Sequence, residues 1–143
     1  LFFVTEFLKA GSLAFLNCPL YAYLERPSSA VRQEPSLRFY TAALAWERVW
    51  QLVKEQPEPF RSTTEQRCIM SCAEVYFRLV NQPERDPEKE KTLLEMARMH
   101  RHAAWKIPSE HKSQKLQALM VSCCPHLGAK VWKLVQWVKG LKN

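Results

Sequence analysis

Ser36–Gln56, SLRFYTAALAWERVWQLVKEQ, is the stretch that decides the fold class of this 143-residue chain. At 100° per residue, Phe39, Ala42, Ala43, Trp46, Val49, Trp50 and Val53 fall on one stripe, the i, i+3, i+4, i+7 recurrence of a helix with one buried face. Ser36 is expected as its N-cap and Pro57 as its stop. Burying two tryptophans and a phenylalanine together is worth on the order of 10 kcal/mol before entropy is subtracted. Trp46, in the middle of the stripe, is therefore expected in the core, where truncation to alanine would cost roughly 3–5 kcal/mol.

Working toward the N-terminus, Glu25–Ser36 (ERPSSAVRQEPS) carries two prolines, three serines and mixed charge, the signature of a surface connection. Ser28 and Ser29 read there as solvated residues rather than modification sites. The opening run LFFVTEFLKAGSLAFL spans 16 residues with Glu6 and Lys9 inside it, too short and too charged for a bilayer span. It is expected as a core helix interrupted near Gly11-Ser12, followed by a short piece around Leu20 to Leu24. The chain opens at Leu1 inside an apolar run, so it is read as a single domain belonging to a longer or processed protein.

Toward the C-terminus, Ser62 and Glu65 have capping-box spacing at the head of a helix expected from about Thr63 to Asn81. Its apolar residues, from Cys68 through Val80, cover more than half the wheel, so this helix must touch at least two others. Asp86 and Pro87 open a fourth helix, with Glu88 and Glu90 where the helix dipole favours acid. Leu93, Met96, Ala97, His100, Ala103 and Ala104 form its inner stripe, and Pro108 stops it. Ser109 is expected to cap a fifth helix with Leu116, Leu119, Met120 and Cys123 inward, and a sixth runs from about Leu127 to Leu141.

Starts at Ser36, Ser62, Asp86 and Ser109 are 26, 24 and 23 residues apart with short connections, which favours antiparallel neighbours. Three glycines leave few tight hairpin turns, and nine prolines sit between the periodic segments rather than inside them. The expected fold is all-α, an antiparallel helical bundle or stacked helical hairpins of about six helices. The tetratricopeptide spacing of 34 and its Trp, Gly, Tyr and Ala pattern do not recur. Five cysteines, an odd number without framework spacing, point to reduced thiols and an intracellular compartment, nucleus or cytoplasm.

Charge is lopsided. Past Glu110 no acidic residue occurs, while Lys112, Lys115, Lys130, Lys133, Lys139 and Lys142 supply six of the seven net positive charges. Such a patch meets an acidic protein surface, an anionic membrane or phosphate. With no arginine among these residues, bidentate base reading has no support, so nucleic-acid contact would be sequence-tolerant. On the last helix Val131, Leu134, Val135, Val138 and Leu141 form the stripe expected to face the core. Trp132 lies on the far side between Gln136 and Lys139, where it is expected to anchor a partner. Truncating Trp132 should accordingly disturb the fold less than truncating Leu134.

Metal and catalytic chemistry find little regular spacing. Cys68 and Cys72 lie one turn apart, and His100, His102, His111, Cys123, Cys124 and His126 are further ligand types, but no C-x-x-C or H-x-x-x-H occurs. Cysteines on an inner arc read as small core residues, and His100 as a buried imidazole satisfied by a hydrogen bond. There is no phosphate-binding glycine loop, G-x-S-x-G elbow or paired-carboxylate cleft pattern. The expectation is a protein-interaction domain, a scaffold or subunit of a complex, using Trp132, Lys130, Lys133, Gln136, Lys139, Lys142, Lys112 and Lys115. The expected partner is a protein with an acidic or helical surface, without cofactor, metal or membrane span. The alternatives are a sequence-tolerant nucleic-acid binder using the same lysines and, more remotely, a helical enzyme.

Overall fold

The computed structural model describes residues 2–10, 12, 35–83 and 85–140, with side chains described within 4–10, 12, 39–83 and 85–138. The connector through Ser28 and Ser29 and the piece around Leu20 lie outside these residues. Among the described residues there are seven α-helices: α1 Phe2–Lys9, α2 Pro35–Val53, α3 Phe60–Leu79, α4 Pro87–Met99, α5 Arg101–Lys106, α6 Lys112–Cys123 and α7 Pro125–Gly140. A 3-10 turn, Ser109–His111, precedes α6. No strand occurs among the described residues, and none of their helices is long and apolar enough to cross a membrane.

The hub is α3, not α2. Its wide apolar arc packs against α2, α4, α5 and α6, and Cys68, Ile69, Cys72, Ala73, Val75, Tyr76, Phe77 and Leu79 are all buried. Leu93, Met96 and Ala97 of α4, Ala103 and Ala104 of α5, Ile107, and Ala118 and Val121 of α6 complete the core. Each fully buried large aliphatic or aromatic side chain here contributes about 1.5–3 kcal/mol of transfer free energy. The alanines let the helix axes approach closely. At the edge, α1 rests its exposed Phe7 edge-on against Phe60 at the head of α3, with ring centroids 6.3 Å apart, rather than entering the core.

The helix ends test the capping expectations. Asp86 caps α4 as expected: it is extended, and its Oδ1 accepts the Lys89 N–H at 3.1 Å ahead of Pro87. Glu88 and Glu90 stand in the first turn as expected, and Glu90 is also buried in a bidentate pair with Arg85, whose Nε donates to Oε1 at 2.8 Å. At α3 the Ser62/Glu65 box does not form. The helix starts earlier, at Phe60, and the Ser62 N–H donates instead to Glu58 Oε2 at 3.1 Å, so the capping carboxylate precedes the helix. Hydrogen bonding by the Ser62 side chain, then by Arg61 and the Ser62 backbone, lowers the Glu58 pKa to about 2. Ser36 lies inside the first turn of α2 rather than ahead of it, and Ser109 makes no side-chain cap.

Three inner faces differ from the hydropathy stripes. On α2, Trp46 is 38% exposed, so it is not the core tryptophan. Of the expected stripe the helix buries Ala43 and Val53 and packs Phe39 on the core together with Tyr40 and Leu44, leaves Glu47 and Trp50 half-buried, and exposes Ala42 along with Trp46. On α6, Leu116 and Cys123 are exposed while Ala118 and Val121 are buried, because the small Ala118 permits the closer approach to the hub. The expected single helix from Pro87 to Pro108 is broken at His100, which leaves α-helical geometry at φ −95°, ψ 12° between α4 and α5. The third change of face, on α7, shapes the candidate site.

Candidate functional site

Gly128 sets the orientation of α7. A Cβ at this buried position would lie 3.0 Å from Met120 Cβ and 3.0 Å from Phe77 Cζ, tighter than ordinary contact, so glycine favours the close approach of α7 to α3 and α6. One turn further, Trp132 stacks on Phe77 with centroids 5.6 Å apart and an interplanar angle of 29°. Trp132 is therefore half-buried, packed against the core cluster. The stripe expected inside faces outward instead: Leu127, Val131, Leu134, Val135 and Val138 are all exposed, and Leu134 is 59% exposed. Leu127, Val131, Leu134 and Val138 follow the alternating four and three spacing of a coiled-coil seam. Lys130 and exposed Trp137 border that seam on one side, with Lys133 beyond them.

On the other side of α7 a groove of about 830 Å³ opens between α3, the 3-10 turn and the start of α6. Phe39, Phe77 and Trp132 line it with Glu74, Arg78, Glu110, His111, Lys112 and Gln136. Its charges are largely answered locally: Arg78 donates to Glu74 at 2.7 Å while lying 4.1 Å over the Phe39 ring. The groove thus holds Trp132, Gln136 and Lys112 together. Lys130 and Lys133 are exposed elsewhere on α7. Lys115 is structural, since its Nζ donates to the carbonyls of Trp105 and Ile107, each at 2.9 Å, closing the end of α5. Lys139 lies at the end of α7 without a described side chain, and Lys142 is outside the described residues.

The second concentration of chemistry is internal, and sequence spacing did not assemble it. His100 is 1% exposed, and its Nε2 shares a hydrogen bond with Glu47 Oε2 at 2.6 Å across 53 residues of chain. Its Nδ1 is buried without a hydrogen-bond partner, with Glu65 Oε1 3.5 Å away. Cys68 lies beside them and donates its thiol to the Trp46 carbonyl at 3.2 Å. Trp50 closes the site edge-on against His100, with centroids 4.8 Å apart. Burial, reinforced by the Glu47 carboxylate, pushes the Cys68 thiol well above its ordinary range and the Cys72 thiol up to about 12. The four described cysteines are free thiols: Cys68 and Cys72 are buried, and Cys123 and Cys124 exposed. The missed signal was Glu47, a carboxylate at i+4 from buried Ala43 and i−3 from Trp50 on an apolar helix face.

No family model, curated protein or solved structure matches this chain.

Proposed function

We propose that the chain is a protein-interaction domain of a larger intracellular assembly, and that the aliphatic seam of α7 receives an amphipathic, acidic helix from a protein partner. The observation that carries this reading is the outward face of α7, where five Leu and Val side chains lie exposed because Gly128 and Trp132 occupy the inner face. From Leu127 to Val138 the seam extends about 16 Å, three helical turns, which suits a docked helix. Lys130 and Lys133 beside it favour a partner with acidic flanks and accelerate its approach. Two observations favour protein over nucleic acid. Lys115 is committed to the carbonyls of Trp105 and Ile107, and the surface beside Lys130 and Lys133 is aliphatic, which phosphate does not reward.

The test is affinity capture from cell extract with the wild-type chain and with Leu134→Glu, after melts establish that both are folded. The expected result is loss of a discrete captured protein with an unchanged melting temperature. Retention of that protein by Leu134→Glu overturns the seam. Binding of random duplex that falls steeply with salt and is lost in Lys130→Glu/Lys133→Glu would move the assignment to nucleic acid.

A further inference from the structure

We propose that Glu47, Cys68 and His100 form a binding site for a divalent transition-metal ion of the zinc class, with Glu65 orienting the imidazole. The ligand atoms, Glu47 Oε2, Cys68 Sγ and His100 Nε2, come from α2, α3 and the α4–α5 junction, and the donor atoms of the three residues all lie within 4.8 Å of one another. A tetrahedral ion with bonds of about 2.0–2.3 Å separates its ligand atoms by roughly 3.3–3.7 Å. The Glu47–His100 pair, at 2.6 Å, is closer than that, so binding parts these two side chains slightly within a donor group that already lies inside 4.8 Å.

An independent observation points to a cation. His100 sits with a carboxylate at each ring nitrogen, and its almost fully buried Nδ1 has no hydrogen-bond partner. A neutral imidazole carries one proton, so one of its nitrogens must present a lone pair toward a carboxylate. A second ring proton or a metal on Nε2 removes that conflict, and the thiol of Cys68 within reach of the same point favours the metal. The ring proton then resides on Nδ1 and donates to Glu65, the carboxylate–histidine–metal arrangement that fixes ring orientation and raises ligand basicity. On binding, the Cys68 Sγ–H bond breaks and its proton leaves to solvent, as does any proton on Nε2 in excess of the one the ring retains. A thiolate, a carboxylate and a divalent ion sum to zero charge, and the further carboxylate of Glu65 lies at the more exposed margin.

The donor set of one sulfur, one nitrogen and one oxygen selects zinc-class ions over magnesium or calcium, which prefer all-oxygen shells. Glu47 and Glu65 are 17% and 26% exposed, so ions reach the site from their side. Cobalt(II) titration of the reduced chain is the test, since a thiolate ligand produces a charge-transfer band. One equivalent should develop that band, displaced by one equivalent of zinc. Cys68→Ser should abolish it while Cys123→Ser/Cys124→Ser retains it. Should Cys68→Ser fail to fold, Glu47→Gln, at a partly exposed position, is expected to weaken zinc at least 10-fold. Glu65→Gln should weaken it about 10–100-fold while keeping the band, because it acts through the ring. Absence of a band, a band that survives Cys68→Ser, or undiminished zinc affinity in folded Glu47→Gln overturns the site.

Discussion

The α2–α3–α4 side of this domain and its last helix depart from the ordinary partition of residues in opposite directions. Between α2, α3 and the α4–α5 junction the molecule encloses Glu47, His100 and Cys68, with Glu65 at the margin, while along α7 it leaves Leu127, Val131, Leu134, Val135 and Val138 exposed. Both arrangements carry a cost. Enclosed polar groups lose hydration, and exposed aliphatics retain an unfavourable water contact. The difference teaches that burial on each side follows local fit rather than hydropathy: the inner group is held by its polar partners, and the outer seam is left over because Gly128 and Trp132 take the inner face. It also separates stability from recognition, since one region ties three elements together and the other faces away from the core.

The sharpest way to break this comparison is to truncate one residue from each region. His100→Ala removes the imidazole that lies between two carboxylates and should cost about 3–5 kcal/mol, the usual effect of breaking a buried polar pair. Leu134→Ala should stay within about 0.5 kcal/mol, as for an exposed position. Chemical denaturation of both variants measures the contrast, and equal losses would mean that the seam is core after all.

Trp132 tests the orientation of α7 from its inner side. Because it stacks on Phe77 within the core cluster, Trp132→Ala should destabilise by roughly 2–3 kcal/mol, below the value for a fully enclosed tryptophan. This reverses the order expected from the hydropathy stripe. A melt in which Leu134→Ala falls further than Trp132→Ala would return the aliphatic stripe to the inside.

Gly128→Ala opposes two effects of known size. Alanine gains about 1 kcal/mol of helix propensity, whereas crowding against Met120 Cβ and the enclosed Phe77 ring costs about 1–3 kcal/mol. The Phe77 ring is held by Tyr76 on one contact and Trp132 on another, so it has little room to yield. A net loss of about 1 kcal/mol is expected, accompanied by altered tryptophan fluorescence as α7 shifts. A gain in stability would show that α7 can move away freely.

The smallest expected effect concerns acid and lies outside both regions. Glu58 is held at about 2 against an ordinary 4.5, so the folded state binds its proton less readily than the unfolded chain. Its contribution is complete above pH 4.5 and is lost as pH falls toward 2. Asp86, lowered by Lys89, changes in the same direction. Glu58→Gln should slightly lower the melting temperature above pH 4.5, where the carboxylate contributes, and leave it largely unchanged near pH 2, so the acid limb of the profile flattens.

Much of the architecture was legible from local chemistry. Helical class, the Asp86-Pro87 start, the broad buried arc of α3 and the inward position of His100 each depend on neighbours within a turn or two, where periodicity and capping are informative. Rotation about the helix axis was decided only by tertiary structure. On α2 the apolar residues cover enough of the wheel to allow several faces, and the pairing of Glu47 with a histidine 53 residues away selected one that leaves Trp46 at the surface. On α7 the aliphatic stripe has the larger hydropathy, yet the space beside Phe77 accepts a flat ring and a glycine backbone, so Trp132 and Gly128 turn inward. A sequence determines by itself that a helix has apolar faces. Which face is buried depends on the shape and polarity of residues distant in the chain, because close contact is set by fit and buried polar groups require partners.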